Sequence, residues 1–334
     1  MIGESILLWI IHWLVLRGTQ TAAGINKLAT LAKLIPLSLF VILAIFAFKI
    51  DIFKFDFRGA EMGIPIWQQV KNTMLITLWV FIGIEGAVVV SARAQRRKDV
   101  GLATLLAVIS ALSIYILVTL LSLGIVPREE IAAMKNPSMA SLMIHMMGNY
   151  GEIIIAAGLI VSVCGAYLSW TIMATEIPYI ASLHGSFPKI FKYQNKNNAL
   201  SSSLWLTNGA VQLALILIWL SGSNYNMLLT IASEMILVPY FLVGAFLIKI
   251  SLERASKGLL IIGTVTSLYG LWLLYASGTI NLLLSVILYM PGLFIFLYAQ
   301  KQNNNKISLS RLERSAIIMI IFSSIPAFWY LLHI

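Results

Sequence analysis

The sequence predicts an all-α membrane protein, a polytopic helical bundle that crosses a lipid bilayer many times. Two observations carry this prediction. Of the 334 residues, 60% are hydrophobic and only 11% are charged, with a mean hydropathy of +0.91, far from the composition of soluble globular domains. The chain also contains repeated apolar stretches of about 20 residues, the length that a membrane-spanning helix requires.

Ten apolar stretches follow one another, nine of spanning length and a shorter one at the start. They cover residues 4–16, 29–48, 69–91, 100–124, 152–182, 203–221, 225–248, 258–276, 279–299 and 315–332. Among the connections, residues 51–69 are mixed in charge and aromatic, and residues 126–150 are long enough to hold a short helix. None is long enough for a soluble domain, so we expect a single membrane domain over residues 1–334.

Topology explains the formal net charge of +10. If the ten segments alternate in direction, 17 of the 23 Lys and Arg residues fall on one side of the membrane. Cytoplasmic loops carry such an excess, so we predict that this side is cytoplasmic, that both chain ends are external and that the protein lies in the cytoplasmic (inner) membrane. The run "RAQRRKD" at 93–99 then acts as a topology anchor, which is compatible with contact to anionic lipid headgroups. No nucleic-acid partner is needed.

Patterns for metal, redox or enzyme chemistry are absent from the sequence. Cys164 is the single cysteine, and the four histidines are scattered without ligand spacing. There is no Gly-rich phosphate loop, no HExxH and no serine, histidine and carboxylate set in a suitable context. We predict no metal, no cofactor, no catalytic residue and no enzymatic activity.

The first stretch, residues 1–16, is short for a membrane span. A helix of this length rises by a little over 20 Å, and the run lacks the basic start of a signal peptide. It looks like the later part of a longer helix, so that earlier segments would be missing. The alternative is a genuine short first helix, and composition alone does not separate the two.

Three acids fall within the predicted spans, and Glu85 has the most distinctive setting. It lies in "GIEG" between Gly83 and Gly86, which each weaken a helix by roughly 1 kcal/mol relative to alanine. The run predicts a break in the helix, and broken helices build the solute sites of secondary transporters. The alternative is that both glycines only permit close helix packing, with Glu85 bonded to a neighbouring helix.

An aromatic residue precedes this acid on the same span. Trp79 and Ile82 stand six and three residues before Glu85, so the three share one face if the first half of the span stays helical. An aromatic ring and a carboxylate that face one cavity suit a cationic ligand.

Two further spans carry an acid. Trp170 belongs to a helical stripe within residues 152–182 that also leads towards Glu176, and such a stripe is more often packing than ligand contact. Glu234 lies near mid-span, just before Pro239. For Glu234, a proton-carrying role and a structural pairing with a serine, a carbonyl or water both stay open.

Several runs resemble one transporter family. "WVFIGIEGAVVVSARAQRRKDVGLAT", "KNPSMASLM", "SWTIMATEIPYIASLHGSFPKIF" and "ILVPYFLVGAF" are similar to the amino acid, polyamine and organocation (APC) transporter superfamily. Within it they most resemble the basic amino acid antiporter branch, particularly arginine/ornithine antiporters. The resemblance extends over essentially the whole chain, and it is more specific for the family than for the substrate.

The resemblance implies an inverted-repeat fold with two five-helix units and additional helices. Residues 1–48 would be the remnant of the first repeat, residues 69–248 the second repeat, and residues 258–332 the additional C-terminal helices. The chain then looks truncated at its N-terminus, without the first three to four helices, which include contacts to the substrate's amino and carboxylate groups.

The family's site residues carry over to four positions, three on residues 69–91, which match the family's broken sixth helix, and one on residues 152–182, which match its eighth helix. Trp79 matches the tryptophan packed against the substrate side chain, and Ile82 matches the aliphatic contact at the break. Glu85 matches the acid assigned to gating or proton sensing, and Trp170 matches the tryptophan of the middle gate. The resemblance thus implies a substrate site beside the break.

The tenth helix of the family contributes a substrate-contacting serine that has no clean match here. Ser233 or Ala232 is nearest, and we expect Ser233 to bind substrate. The adjacent Glu234 departs from the family's neutral residue, which makes it a second gating or proton-linked candidate.

Taken together, the predicted function is alternating-access exchange of cationic amino acids, arginine inward for ornithine outward, with a cationic amino acid and the lipid bilayer as partners. Two alternatives stay open: a proton-coupled amino acid permease and a truncated, non-transporting membrane protein. Two protein partners also stay open, namely a second copy of the chain in a homo-oligomer and a separate N-terminal fragment that completes the first repeat.

Overall fold

The computed structural model describes residues 1–55, 58–89, 91, 94, 96–221, 225–304 and 309–332. These residues form helices joined by short connections, and no β-strand occurs among them. The prediction of an all-α polytopic membrane protein is confirmed. The predicted division at residues 1–48, 69–248 and 258–332 stays a prediction.

Each of the ten predicted stretches coincides with a helix or, in one case, with two helical pieces. These are α1 Ile2–Leu16, α2 Thr19–Ala47, α4 Ile66–Phe81 followed by α5 Gly86–Val89, α6 Arg97–Ser122, α9 Asn149–Leu183, α10 Ser201–Ser221, α11 Tyr225–Glu253, α12 Lys257–Ser277, α13 Thr279–Asn304 and α14 Arg311–Leu332. The connections contain α3 Ile50–Lys54, α7 Arg128–Ala133 and α8 Ser138–Met147. The last two are the helical content expected for residues 126–150.

Six segments among the described residues are long and apolar enough to cross a membrane, judged by length and composition. They are Lys27–Ala47, Lys98–Ser122, Asn149–Leu183, Ser201–Leu220, Ala232–Glu253 and Lys257–Ser277. The most apolar part of α6 contains no buried residue. A helix that is apolar on all sides and yet unburied by protein suits a lipid environment.

The chain divides into two compact units. The first comprises Met1–Ile64, Gly83–Ile180 and Phe191–Ile216. One core in this unit surrounds Phe40 and Met143, which are both fully buried, and a second joins α1, α9 and α10 through Val15, Leu168 and Leu204. These two cores fix α9 against its neighbours within the unit.

The second unit comprises Pro65–Ile82, Ala181–Ile190 and Leu217–Ile334. Its core joins α4, α11 and α12 through one leucine each, Leu78, Leu237 and Leu273. Helices α11 and α12 approach closely because small residues face the other backbone: a Cβ on Gly270 would lie 3.0 Å from the Cα of Phe241. Small residues of this kind are how helices pack tightly in membranes.

Prolines occur inside α2, α9, α11, α13 and α14, and none of them ends its helix. A proline lacks an N–H, so the carbonyl four residues earlier loses its helical partner. In α11 that carbonyl belongs to Met235, four residues before Pro239, and it accepts a hydrogen bond of 2.8 Å from the Tyr289 hydroxyl of α13. The helix stays continuous because another helix replaces the lost donor.

Candidate functional site

The predicted broken span is interrupted for four residues. Helix α4 ends at Phe81, and Ile82 adopts an extended conformation with φ −62° and ψ 131°. Gly83 then has φ +108°, a region that residues with a side chain rarely adopt. Helical structure resumes at Gly86 in α5. The glycine therefore makes this path of the backbone sterically allowed.

Glu85 closes the interruption with its own side chain. Its Oε2 accepts a hydrogen bond of 2.9 Å from the backbone N–H of Gly83, while its carbonyl accepts from the N–H groups of Val88 and Val89. A backbone N–H released from a helix within an apolar environment costs several kcal/mol if it is left without an acceptor. The carboxylate thus satisfies a donor that the break itself creates.

Helix α9 packs directly on both glycines. A Cβ on Gly83 would lie 3.0 Å from Cζ2 of Trp170, and a Cβ on Gly86 would overlap Sδ of Met173. Trp170 and Met173 are three residues apart and therefore lie on one face of α9. Gly83 and Gly86 are also three residues apart, and each of them contacts one of these two side chains. In this structure the two glycines therefore both flank the interruption and lie against α9.

Trp170 is the predicted gate residue, and its ring contacts the break while 43% of the residue remains exposed. Gly83, Glu85, Gly86 and Trp170 all belong to the first unit. These four predicted residues are the ones that the fold brings together in that unit. Met173 completes the contact, and sequence reasoning missed it, although its spacing from Trp170 repeats the spacing of the glycines.

Trp79 and Ile82 lie at the end of α4, in the second unit. The N–H of Ile82 donates to the carbonyl of Trp79 over 3.1 Å, and both side chains are half-buried. The shared face predicted for Trp79, Ile82 and Glu85 assumed a helix that continues to Glu85. Because α4 ends at Phe81, that spacing argument applies only up to Ile82.

The second unit also contains the α11 candidates. Ser233 is fully buried, whereas the neighbouring Ala232 is exposed. Glu234 is 5% exposed, and its Oε1 has no hydrogen-bond partner among the described residues. Sequence reasoning missed Tyr289. Its signal would have been Pro239 in the neighbouring span, because a proline leaves the carbonyl four residues earlier, that of Met235, without a helical donor.

Among the described residues, no three histidine, cysteine, aspartate or glutamate side chains are grouped so that they could hold a metal ion. The third intramembrane acid, Glu176, is buried in α9 of the first unit. The polar chemistry of the break is thus that of one carboxylate, backbone groups and aromatic rings. Such a set can bind and release a polar or cationic solute without covalent change.

An interrupted helix among apolar helices is a feature of membrane transporters that use broken helices. Comparison with known proteins is more specific. Residues 1–323 match the amino acid permease family model, and the chain belongs to this family.

Several relatives cover nearly all of the chain. A protein of Escherichia coli (strain K12), provisionally named an arginine/ornithine antiporter, is 64% identical over 331 residues, which cover 99% of this chain and 71% of the relative. The arginine/ornithine antiporter of Pseudomonas aeruginosa is 40% identical over 320 residues, 90% of this chain and 66% of the relative. The arginine/agmatine antiporter of Chlamydia abortus is 38% identical over 342 residues, 98% of this chain and 70% of the relative.

Proposed function

We propose that this protein exchanges cationic amino acids across the cytoplasmic membrane, with arginine moving inward and ornithine outward. The observation that carries the proposal is the interruption at residues 82–85. There the Glu85 carboxylate accepts a hydrogen bond from the Gly83 N–H, and Trp170 packs against Gly83. Membership of the amino acid permease family and the names of the relatives support the choice of solute.

Five of the predicted site residues have a role in this proposal. Trp79 and Trp170 contact the aliphatic stem and the cationic head of the solute through apolar and cation–π contact. Ile82 supplies an aliphatic contact at the break, and Ser233 a polar one from α11. Glu85 biases opening, because a change in its hydrogen bond to Gly83 changes the stability of the break.

Charge balance favours exchange over one-way uptake. Moving one elementary charge across the membrane potential is worth about 2.3 kcal/mol per 100 mV. Exchanging one monocation for another moves no net charge, so the gradients of the two solutes drive the cycle without a contribution from the potential. The orientation that we propose places the 17 basic residues of the predicted cytoplasmic loops inside.

Proteoliposome transport tests the proposal. Purified protein is reconstituted, and uptake of labelled arginine is measured with ornithine, leucine or no amino acid inside the vesicles. We expect uptake that requires internal ornithine and that is insensitive to an imposed membrane potential. Protein-free vesicles provide the background.

Two results would contradict exchange, and each points to one alternative. Equal uptake into empty vesicles would indicate a uniporter or a proton-coupled permease, and stimulation by an inward proton gradient would identify the latter. No uptake under any condition, from protein that elutes as a folded species in detergent, would indicate a membrane protein that does not transport.

A further inference from the structure

Glu234 is an acid that the exchange mechanism above does not use. It lies in α11, within the apolar segment Ala232–Glu253, and only 5% of it is exposed. Its Oε1 has no hydrogen-bond partner among the described residues. Burial removes water from this oxygen without supplying a donor in exchange, and an ionised carboxylate in such a place costs several kcal/mol. The carboxyl is therefore more stable with its proton in this conformation.

The helices packed against α11 are α4, α12 and α13. Their titratable and charged side chains are Lys71 on α4, Lys257, Tyr269 and Tyr275 on α12, and Tyr289, Tyr298 and Lys301 on α13. Elsewhere in the described part of α11 the corresponding side chains are Tyr240, Lys249 and Glu253. No ion pair forms between Glu234 and any of these described groups.

Three of the groups that could have paired with this acid are distant or engaged elsewhere. Lys71 places its Nζ over the ring of Tyr275, 4.5 Å from the centroid. Tyr289 donates its hydroxyl hydrogen to the Met235 carbonyl, so it cannot also donate to Glu234. Lys249 is 15 positions further along α11, about 22 Å at the helical rise.

The position of Glu234 on α11 indicates which neighbouring helices its side chain faces. Leu237, three residues later, packs against Leu78 of α4, and residues three apart share a helical face. Glu234 therefore lies on the side of α11 that faces α4 and α12, since Leu273 of α12 belongs to the same cluster. Trp79 of α4 directly follows Leu78. Both Glu234 and Trp79, one of the two tryptophans proposed to contact the cationic solute, belong to this one unit.

We propose that Glu234 is a proton–cation exchange site, which holds a proton in the solute-free protein and releases it when a monovalent ammonium or guanidinium group binds beside it. The carboxylic acid loses its O–H proton to bulk water, and the resulting carboxylate pairs with the incoming cation. One positive charge enters the site and one leaves, so the buried charge is balanced in both states. The identity of this cation rests on the proposed function.

Calorimetry of arginine binding tests the site directly. Binding is measured on the purified full chain in two buffers that differ in ionisation enthalpy, so that the difference in heat gives the protons released. At pH values where Glu234 is protonated in the solute-free protein, we expect about one proton released per arginine in the wild type and a dissociation constant that rises about tenfold for each unit decrease in pH. Glu234→Gln should release none, while Glu253→Gln, an exposed carboxyl on the same helix, should release as many as the wild type.

Infrared spectroscopy supplies a second measurement that needs no solute. The C=O stretching band of a protonated carboxyl should be present in the wild-type protein and missing from Glu234→Gln. Should that variant fail to fold, Glu234→Asp keeps the carboxyl, and a displaced band together with a displaced pH dependence of binding would support the site; an unchanged band and pH dependence would overturn it.

The failures are distinguishable from one another. Arginine binding without proton release, or with release that Glu234→Gln retains, overturns the inference and leaves amino acid exchange standing. If arginine does not bind at all, the exchange proposal fails, and the infrared band then decides the inference: absence of a band that depends on Glu234 overturns it.

Discussion

The interrupted helix at residues 66–89 and the continuous helix α11 meet the same difficulty in different ways. Each is an apolar span that carries helix-weakening residues and an acid. In the first, Gly83 lets the backbone leave the helix, and Glu85 accepts the N–H that becomes free. In α11, Pro239 removes a donor, and Tyr289 of α13 replaces it at the Met235 carbonyl.

The difference lies in where the replacement partner comes from. At the interruption it is a side chain two residues away, so the replacement hydrogen bond lies within the break itself. In α11 it comes from another helix and links α11 to α13, while Oε1 of Glu234 has no hydrogen-bond partner among the described residues. A break whose backbone hydrogen bond is satisfied by a nearby side chain suits a hinge. A helix whose backbone hydrogen bond is satisfied by another helix suits a rigid support. Four experiments test this comparison.

Gly83→Ala should have the largest effect. Its φ of +108° would cost a residue with a Cβ roughly 1–2 kcal/mol, and the new methyl would lie 3.0 Å from the Trp170 ring. We expect the exchange rate in proteoliposomes to fall at least about tenfold. Gly209→Ala is the matched control, because a Cβ there meets nothing within 4 Å. Wild-type exchange by Gly83→Ala would show that the break does not need this backbone path.

Trp79→Leu tests whether the end of α4 binds a cation. Loss of a cation–π contact is worth about 0.5–2 kcal/mol, so the dissociation constant for arginine should rise by roughly 2- to 30-fold. A neutral analogue of similar shape should be affected much less, since leucine keeps the apolar contact. Both affinities are measured by competition binding. Equal losses for the two ligands would exclude the cation–π role.

Tyr289→Phe tests the cap supplied by α13. The change leaves the Met235 carbonyl without its donor and should lower the free energy of unfolding by about 1 kcal/mol, within the range found for hydrogen bonds in membranes. In a Pro239→Ala background the restored N–H can donate to that carbonyl, so the same change should cost less. The double-mutant cycle is measured by unfolding in mixed micelles. Additive effects would mean that the hydroxyl does not compensate for the proline.

At the start of α14, outside the apolar span, a glutamate again accepts a hydrogen bond from a backbone N–H a few residues away, as Glu85 does at the break. Glu313 Oε2 accepts from the Ser310 N–H over 2.7 Å, and the Ser310 hydroxyl accepts from the Glu313 N–H over 3.2 Å, the two bonds of a capping box. The backbone N–H of Ser310, and then its hydroxyl, hold the pKa of Glu313 below its ordinary value near 4.5.

This capping box predicts the smallest and most local effect. An acid whose pKa is lowered by folding stabilises the folded form above its ordinary pKa, and that contribution is lost as pH falls through the lowered value. Amide protection in the first turn of α14, measured by hydrogen exchange and corrected for intrinsic rates, should therefore decrease below about pH 4.5. Glu313→Gln should remove this dependence, and Ser310→Ala should weaken protection at every pH. A dependence that survives Glu313→Gln would assign it to another group.

Hydrophobicity alone predicted most of the fold. All ten apolar stretches coincide with helices, because about 20 apolar residues in lipid have few alternatives to a helix that satisfies its own backbone. The position of the break was also readable, since Gly83, Glu85 and Gly86 are exceptional within an apolar run. The boundaries were less accurate: α4 begins at Ile66 rather than residue 69, because the polar side chains of its first turns hide the start.

Contacts between distant parts of the chain could not be read in this way. The sequence by itself determined where helices form and which acids lie within them, because both follow from local composition and its cost in a bilayer. Only the tertiary structure decided that Trp170 and Met173 pack on the two glycines, that Tyr289 donates to the Met235 carbonyl of α11, and that Oε1 of Glu234 is buried without a partner among the described residues. The physical reason is that a hydrogen-bond partner or a close approach depends on which faces of separate helices meet, and the sequence pattern of one helix does not specify that.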